Sequence, residues 1–290
     1  MNNEYNLEYD TLVLCGGAVK GIILLGSLQY IFENGYFSNI KTIVGTSIGA
    51  IIGYLIIIGY SPIEIHVFIC THPKLFENIE NMNIINMING LGAVSYSHAS
   101  AILEKLTLDK IGKFLTLKEL LDEFGKKIIG VTYNETKNRI EYISCETNPD
   151  MKCLDLLRMT SNLPEFFDQF IYEGSSYIDG GICDNFAIEE GEKNGNRVLG
   201  IMLYKQINIC NNENFINRLF RRMNIPYYYF IDYKIFKSTE KSTIVKLECD
   251  DNMININVTN INKSSMFSNG YKETKTYFEK SDGNTVVSEE

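Results

Sequence analysis

Histidine is scarce in this chain: His66, His72 and His98 are the only three in 290 residues, and none follows position 98. That absence excludes the Ser…Asp…His order of α/β-hydrolases, in which the histidine comes last. The seven cysteines (Cys15, Cys70, Cys145, Cys153, Cys183, Cys210 and Cys249) form no C-x-x-C pair, so neither zinc-ribbon nor redox-couple spacing is present. An odd number spread along the chain reads as reduced, mostly buried thiols. There is no Lys/Arg-rich stripe, and a formal net charge of −9 opposes a polyanionic backbone, so nucleic acid is not an expected partner. The first ten residues carry Glu4, Glu8 and Asp10 in place of the basic and apolar regions of a secretory signal. The expected compartment is therefore the cytoplasm. No internal repeat is visible.

What is present is ordinary globular composition, 45% hydrophobic and 22% charged. The expectation is one domain over residues 1–290, with a core at about 10–205, a C-terminal extension of the same domain at 206–280 and a frayed tail at 281–290. The one long uncharged stretch runs from Lys41 to Glu64. Gly45-Thr-Ser47-Ile-Gly49 interrupts it, and the helix expected over Ala50 to Ile58 spans only about 15 Å against the roughly 30 Å of a bilayer core. No transmembrane helix is expected.

Apolar Thr11–Cys15 followed by Gly16-Gly17 predicts a buried strand, with a helix over Ile22–Asn34 closed by Gly35. A second strand at Lys41–Val44, a Gly turn and a buried helix repeat the unit. Strand, Gly turn and helix in succession predict a three-layer α/β/α fold with a mainly parallel central sheet. Ser61-Pro62-Ile-Glu64 predicts a capped helix running to about Thr71. Weak periodicity between His72 and Ser97 suggests a cap or a surface excursion. Further helices are predicted at Ala99–Leu106 and Leu117–Phe124, and a hairpin at Lys127–Asn134 and Arg139–Cys145. Beyond these come helices near Cys153–Met159 and Asn185–Glu192, with strands near Ser176–Ile178 and Arg197–Leu203. A basic helix at Phe215–Met223 (Arg218, Arg221, Arg222) precedes Tyr227–Phe230, which reads either as a lipid-facing aromatic segment or as a buried aromatic strand. Strands near Thr243–Leu247 and Met253–Val258 and a last helix at Lys263–Lys280 complete the chain.

The chemistry concentrates in three places. Gly45-Thr-Ser47-Ile-Gly49 is a G-x-S-x-G sequence with a buried strand before it and a buried helix after it, as a nucleophile elbow requires. Gly16-Gly17-Ala18-Val-Lys20-Gly21 fits no phosphate-loop pattern. Its small residues would instead expose backbone N–H groups at a helix start, as an oxyanion hole does. Lys20 would add positive charge there or hold a lipid phosphate. Asp179-Gly180-Gly181 places a carboxylate at the end of an apolar strand, where small neighbours permit close approach to another loop.

Taken together and in this order, the three motifs resemble the patatin-like phospholipase family. Gly16 to Gly21, Gly45 to Gly49 and Asp179 to Gly181 match its oxyanion hole, nucleophile elbow and catalytic aspartate. Met159-Thr-Ser-Asn-Leu-Pro164-Glu-Phe166-Phe167, Asn185 and Gly270-Tyr271 are also similar to it. Ala18 and Ala187 depart from the family's glycine and proline. The resemblance implies a patatin-like fold, a Ser47-Asp179 dyad, no metal and no cofactor, and lipid acyl esters from a membrane or micelle as substrate. Peripheral membrane contact is consistent with that substrate. Two other readings stay open: a non-catalytic or partner-activated lipid-binding protein, and an acyltransferase.

Overall fold

The computed structural model describes residues 8–72, 92–204, 225–249 and 259–283. Among these residues eight strands form one sheet: β1 (Thr11–Leu14), β2 (Thr42–Thr46), β3 (Lys127–Asn134), β4 (Arg139–Ile143), β5 (Phe170–Tyr172), β6 (Ser175–Asp179), β7 (Val198–Tyr204) and β8 (Ser242–Glu248). Their order is β5-β6-β3-β2-β1-β7-β8, with β4 also paired to β3. The pairings β3–β2–β1–β7–β8 are all parallel, whereas β4 and β6 run antiparallel to β3. The sheet is thus mixed and mostly parallel.

The helices are α1 (Gly21–Glu33), α2 (Ile48–Ile57), α3 (Pro62–Thr71), α4 (Ser97–Ile111), α5 (Leu117–Phe124), α6 (Cys153–Thr160), α7 (Ile188–Asn194), α8 (Ile225–Lys237) and α9 (Asn260–Gly283). Local chemistry accounts for several ends. Gly35, at φ +75°, closes α1 in the left-handed conformation that a residue without Cβ adopts freely. Ser61 and Glu64 cap α3 reciprocally behind Pro62, and Thr116 and Glu119 do the same for α5.

Strand alternation sorts the layers. Ile43 meets Gly53 of α2, and Gly130, its neighbour on the same face, meets Leu156 of α6. Val13 meets Gly191 of α7 on the opposite face, and Gly200, paired with Val13, packs on Phe186 and Ile188. The two faces are therefore covered by different helices. On the outside, α9 lies across α1 with backbone touching backbone: a Cβ on Gly26 would sit 1.9 Å from Phe267 O, and one on Gly270 2.0 Å from Ile23 O. This crossing is the structural reason for Gly270-Tyr271, and Tyr271 and Thr274 bond to Glu33 and Ser27 of α1.

Several expectations need adjustment. The helix after Asp179 starts at Ile188, because a single 3-10 turn, Gly180–Ile182, and an irregular stretch of turn and bend come first. Strand β5 has no counterpart in the sequence reading: its three residues are too short to show an alternation. Tyr227–Phe230 belongs to helix α8, so the buried-strand reading of this segment is wrong; Tyr229 is 74% exposed. The helix expected at Phe215–Met223 and the strand expected at Met253–Val258 lie outside the described residues, as does most of His72–Ser97. Six cysteines among the described residues are free thiols. Among these residues no single helix is long and apolar enough to cross a membrane.

Candidate active site

The carboxyl ends of β1 and β2 and the end of β6 converge on one point, and β3 sets the alignment. Its residue Val131 pairs with Thr46, the last residue of β2, and the next residue, Thr132, pairs with Asp179, the last residue of β6. Because β4 occupies the other edge of β3 at these positions, β6 takes over the edge that β2 leaves. Ser47 and Asp179 are thereby delivered side by side. Ser47 Oγ donates a 2.6 Å hydrogen bond to Asp179 Oδ2, and Gly181 N–H donates to Asp179 Oδ1 at 2.7 Å.

Ser47 sits in a strained turn, with φ 54° and ψ −124°. A non-glycine residue there costs on the order of 1–3 kcal/mol, and the surroundings must enforce it. They do so in three ways. Ser47 N–H donates to Thr160 Oγ1 at 2.9 Å, and Thr160 Oγ1 in turn donates to Val131 O. Ser47 O accepts from Ala50 and Ile51 N–H, starting α2 directly behind the hydroxyl. Gly49 presses against β1 so closely that a Cβ would lie 2.6 Å from both Leu14 O and Cys15 O. Gly45 is hemmed in likewise by Ala50, and Gly21 by Ile48, so the two Gly turns nest into each other.

Asp179 is buried at 3% exposure, and that burial pushes its carboxyl up to about 6; the hydrogen bonds from Ser47 and Gly181 pull in the opposite direction without overcoming it. A carboxylate with such a value is a far better base near neutral pH than a solvated one. Two of the three histidines are engaged elsewhere: His66 stacks on Phe267 and His72 on Phe68.

The Gly-rich turn lies against the serine, with Gly16 so near that a Cβ would sit 3.2 Å from Ser47 Cβ. Its three N–H groups are not equivalent. Gly16 N–H is engaged with Asn185 O at 3.2 Å, and Asn185 Nδ2 returns a bond to Gly16 O. Gly17 and Ala18 N–H donate to no group among the described residues. Ala18 has φ +47°, a conformation that favours the glycine it replaces, while Lys20 is buried at the end of the following 3-10 turn.

Behind the Ser47–Asp179 pair lies a supporting network that motif reading did not reach. Asn162 O accepts from Asp179 N–H, and Asn162 Nδ2 donates to Tyr177 O, so the residue grips both ends of the last three positions of β6. Arg158, buried in α6, donates to Asn162 Oδ1 and Asp168 O and lies over the Tyr96 ring. On the other side Asp184 O accepts from Thr46 Oγ1, its carboxylate accepts from Tyr142 OH, and Lys234 Nζ of α8 stands 2.7 Å from Asp184 Oδ1. Residues 184 and 185 thus tie the elbow and the Gly-rich turn together.

The site thus sets a strained serine between strand and helix, bonded to a buried carboxylate and flanked by backbone N–H groups with no partner among the described residues. The family model of patatin-like phospholipases matches residues 12–191, and the chain belongs to that family. It is 34% identical over 191 residues to the probable lipid hydrolase 463L of Invertebrate iridescent virus 6, an alignment covering 65% of each chain and so just under two thirds of that relative. It is 26% identical to protein R571 of Acanthamoeba polyphaga mimivirus, over 92% of this chain and 93% of that one. Among solved structures, VipD from Legionella pneumophila superposes with a TM-score of 0.57 at 18% identity, over 94% of this chain and 67% of that one, a likeness of fold.

Proposed function

We propose that the protein hydrolyses acyl esters of lipids, in the manner of a phospholipase A, through Ser47 and Asp179. The observation that carries this reading is the 2.6 Å bond from Ser47 Oγ to a buried carboxylate of raised pKa. As Oγ attacks the ester carbonyl carbon, its proton passes to Asp179 Oδ2. The carbonyl oxygen takes up negative charge, which the N–H groups of Gly17 and Ala18 would receive, at the start of a helix whose dipole favours an anion. When the tetrahedral intermediate collapses, the alkoxide leaves with the proton held by Asp179, and the acyl group remains on Ser47. Water then attacks the acyl-enzyme, gives its proton to Asp179 and releases the fatty acid; the proton returns to Ser47 Oγ.

Support for the lipid class comes from the family and from the viral relative named as a probable lipid hydrolase. The test is release of fatty acid from phospholipid vesicles by the purified chain and by Ser47→Ala. Activity should fall at least about a thousandfold in the variant, as for other nucleophile deletions. A Ser47→Ala protein that keeps full activity would discard the mechanism.

A further inference from the structure

Helix α8 has one buried and one exposed face. Ile231 and Lys234 are buried, and Tyr228 and Ile235 are half-buried. At about 100° per residue, Ile225, Tyr229, Phe230, Tyr233 and Phe236 fall within an arc of about 140° on the opposite side. All five are exposed, Phe236 at 82%. Lys237 stands within this arc and Asp232 at its edge, so the face carries little net charge. Soluble proteins seldom leave so many neighbouring aromatics in water without a use for them.

We infer that this face of α8 docks the protein on the surface of a lipid bilayer. The composition suits the interface, because tyrosine and phenylalanine rings settle among headgroups and the tyrosine hydroxyls stay on the wet side. The size does not suit a second protein. Thirteen residues make a helix about 20 Å long, and at about 10 Å wide its exposed face offers roughly 200 Å², against roughly 800 Å² per partner in a stable complex. A membrane needs no matching surface, only side chains that insert. The helix is also tied to the site: Lys234, buried beneath the aromatic face, is ion-paired to Asp184, whose backbone oxygen holds Thr46 beside Ser47. Exposed Ile182 lies between that anchor and Asp179. Docking through α8 would therefore bring the dyad to its substrate, an advantage that rests on the lipid-ester reading of the site. With a chain charge of −9 and one lysine within the aromatic arc, attachment comes from aromatic insertion and does not require anionic lipid.

Flotation of the full chain with phosphatidylcholine vesicles, at low and high salt, tests this. Wild type and Ser47→Ala should both float, with little salt dependence. Tyr229→Ser/Phe236→Ser should lose at least about tenfold in bound fraction, since two inserted rings are removed, while keeping its unfolding midpoint and its turnover of a soluble short-chain ester. The inference is overturned if wild type stays with the free protein, if the double variant floats equally well, or if sedimentation shows a wild-type dimer that the same substitutions dissociate. Flotation without any esterase activity would sink the hydrolase reading and leave docking intact. Esterase activity without flotation would do the reverse.

Discussion

Ser47 Oγ and Asp179 Oδ2 stand 2.6 Å apart although 132 positions separate the two residues in the chain. Two adjacent residues of β3 hold them there, Val131 through Thr46 and Thr132 through Asp179 itself. In the mechanism proposed above the buried carboxylate is the base, and its environment makes the following outcomes expected.

The rate should follow ionisation of Asp179. Burial raises its pKa to about 6, and only the ionised form accepts the Ser47 proton. Turnover of a soluble ester should therefore be low at pH 5, rise through about pH 6 and level off above it. A profile flat from pH 4.5 to 8 would remove Asp179 as the base.

The same burial should make Asp179 a cost to the fold. Its folded pKa lies above its unfolded value, so the native state binds the proton more tightly, and stability falls as pH rises from about 4 to about 6. At about 1.4 kcal/mol per unit, a shift of about two units corresponds to about 3 kcal/mol above pH 6, a net figure in which the bonds from Ser47 and Gly181 already count against burial. Asp179→Asn should then be inactive yet more stable than wild type at pH 8, with the advantage shrinking towards pH 4. Urea unfolding at the two pH values reads this directly; an advantage independent of pH would refute it.

Thr160 should matter to both shape and rate. Its hydroxyl satisfies Ser47 N–H and Val131 O together, so Thr160→Val orphans two buried groups at about 1–3 kcal/mol each and loosens the strained turn. Unfolding free energy and kcat should both drop, with KM little changed, and Thr160→Ser should restore both. A fully active Thr160→Val protein would show that the turn holds itself.

Much of this site was legible because its signals are local. The Gly45–Gly49 elbow needs a strand, a sharp turn and a helix in immediate succession, and each is written in adjacent residues. Asp179 was weaker, since Asp-Gly-Gly is common in turns; only the absence of a late histidine and the company of the other motifs singled it out. Thr160, Asn162 and Asp184 were not legible as supports, because their partners lie far along the chain: Thr160 is 113 residues from Ser47. The buried-strand alternative for Tyr227–Phe230 failed for a related reason. The buried face of α8 includes a lysine, which breaks the apolar period, and a run of aromatics resembles a strand until Asp184 is seen to neutralise Lys234.

That ion pair gives a further test. Lys234→Met would leave Asp184 charged in a dry setting and should cost roughly 3–5 kcal/mol, whereas Lys234→Met with Asp184→Asn should recover most of the loss. Thermal unfolding of the single and double variants measures the difference. Equal melting of wild type and Lys234→Met would mean that the pair does not hold α8 in place.

The most direct measurement is covalent. An alkyl fluorophosphonate should lose fluoride to Ser47 Oγ, with Asp179 taking the proton, and peptide mass spectrometry should find one adduct, on the peptide containing Ser47. Labelling should vanish in Ser47→Ala and slow at least about a hundredfold in Asp179→Asn, as expected on removing a general base. An adduct on another residue, or undiminished labelling of either variant, would contradict the dyad.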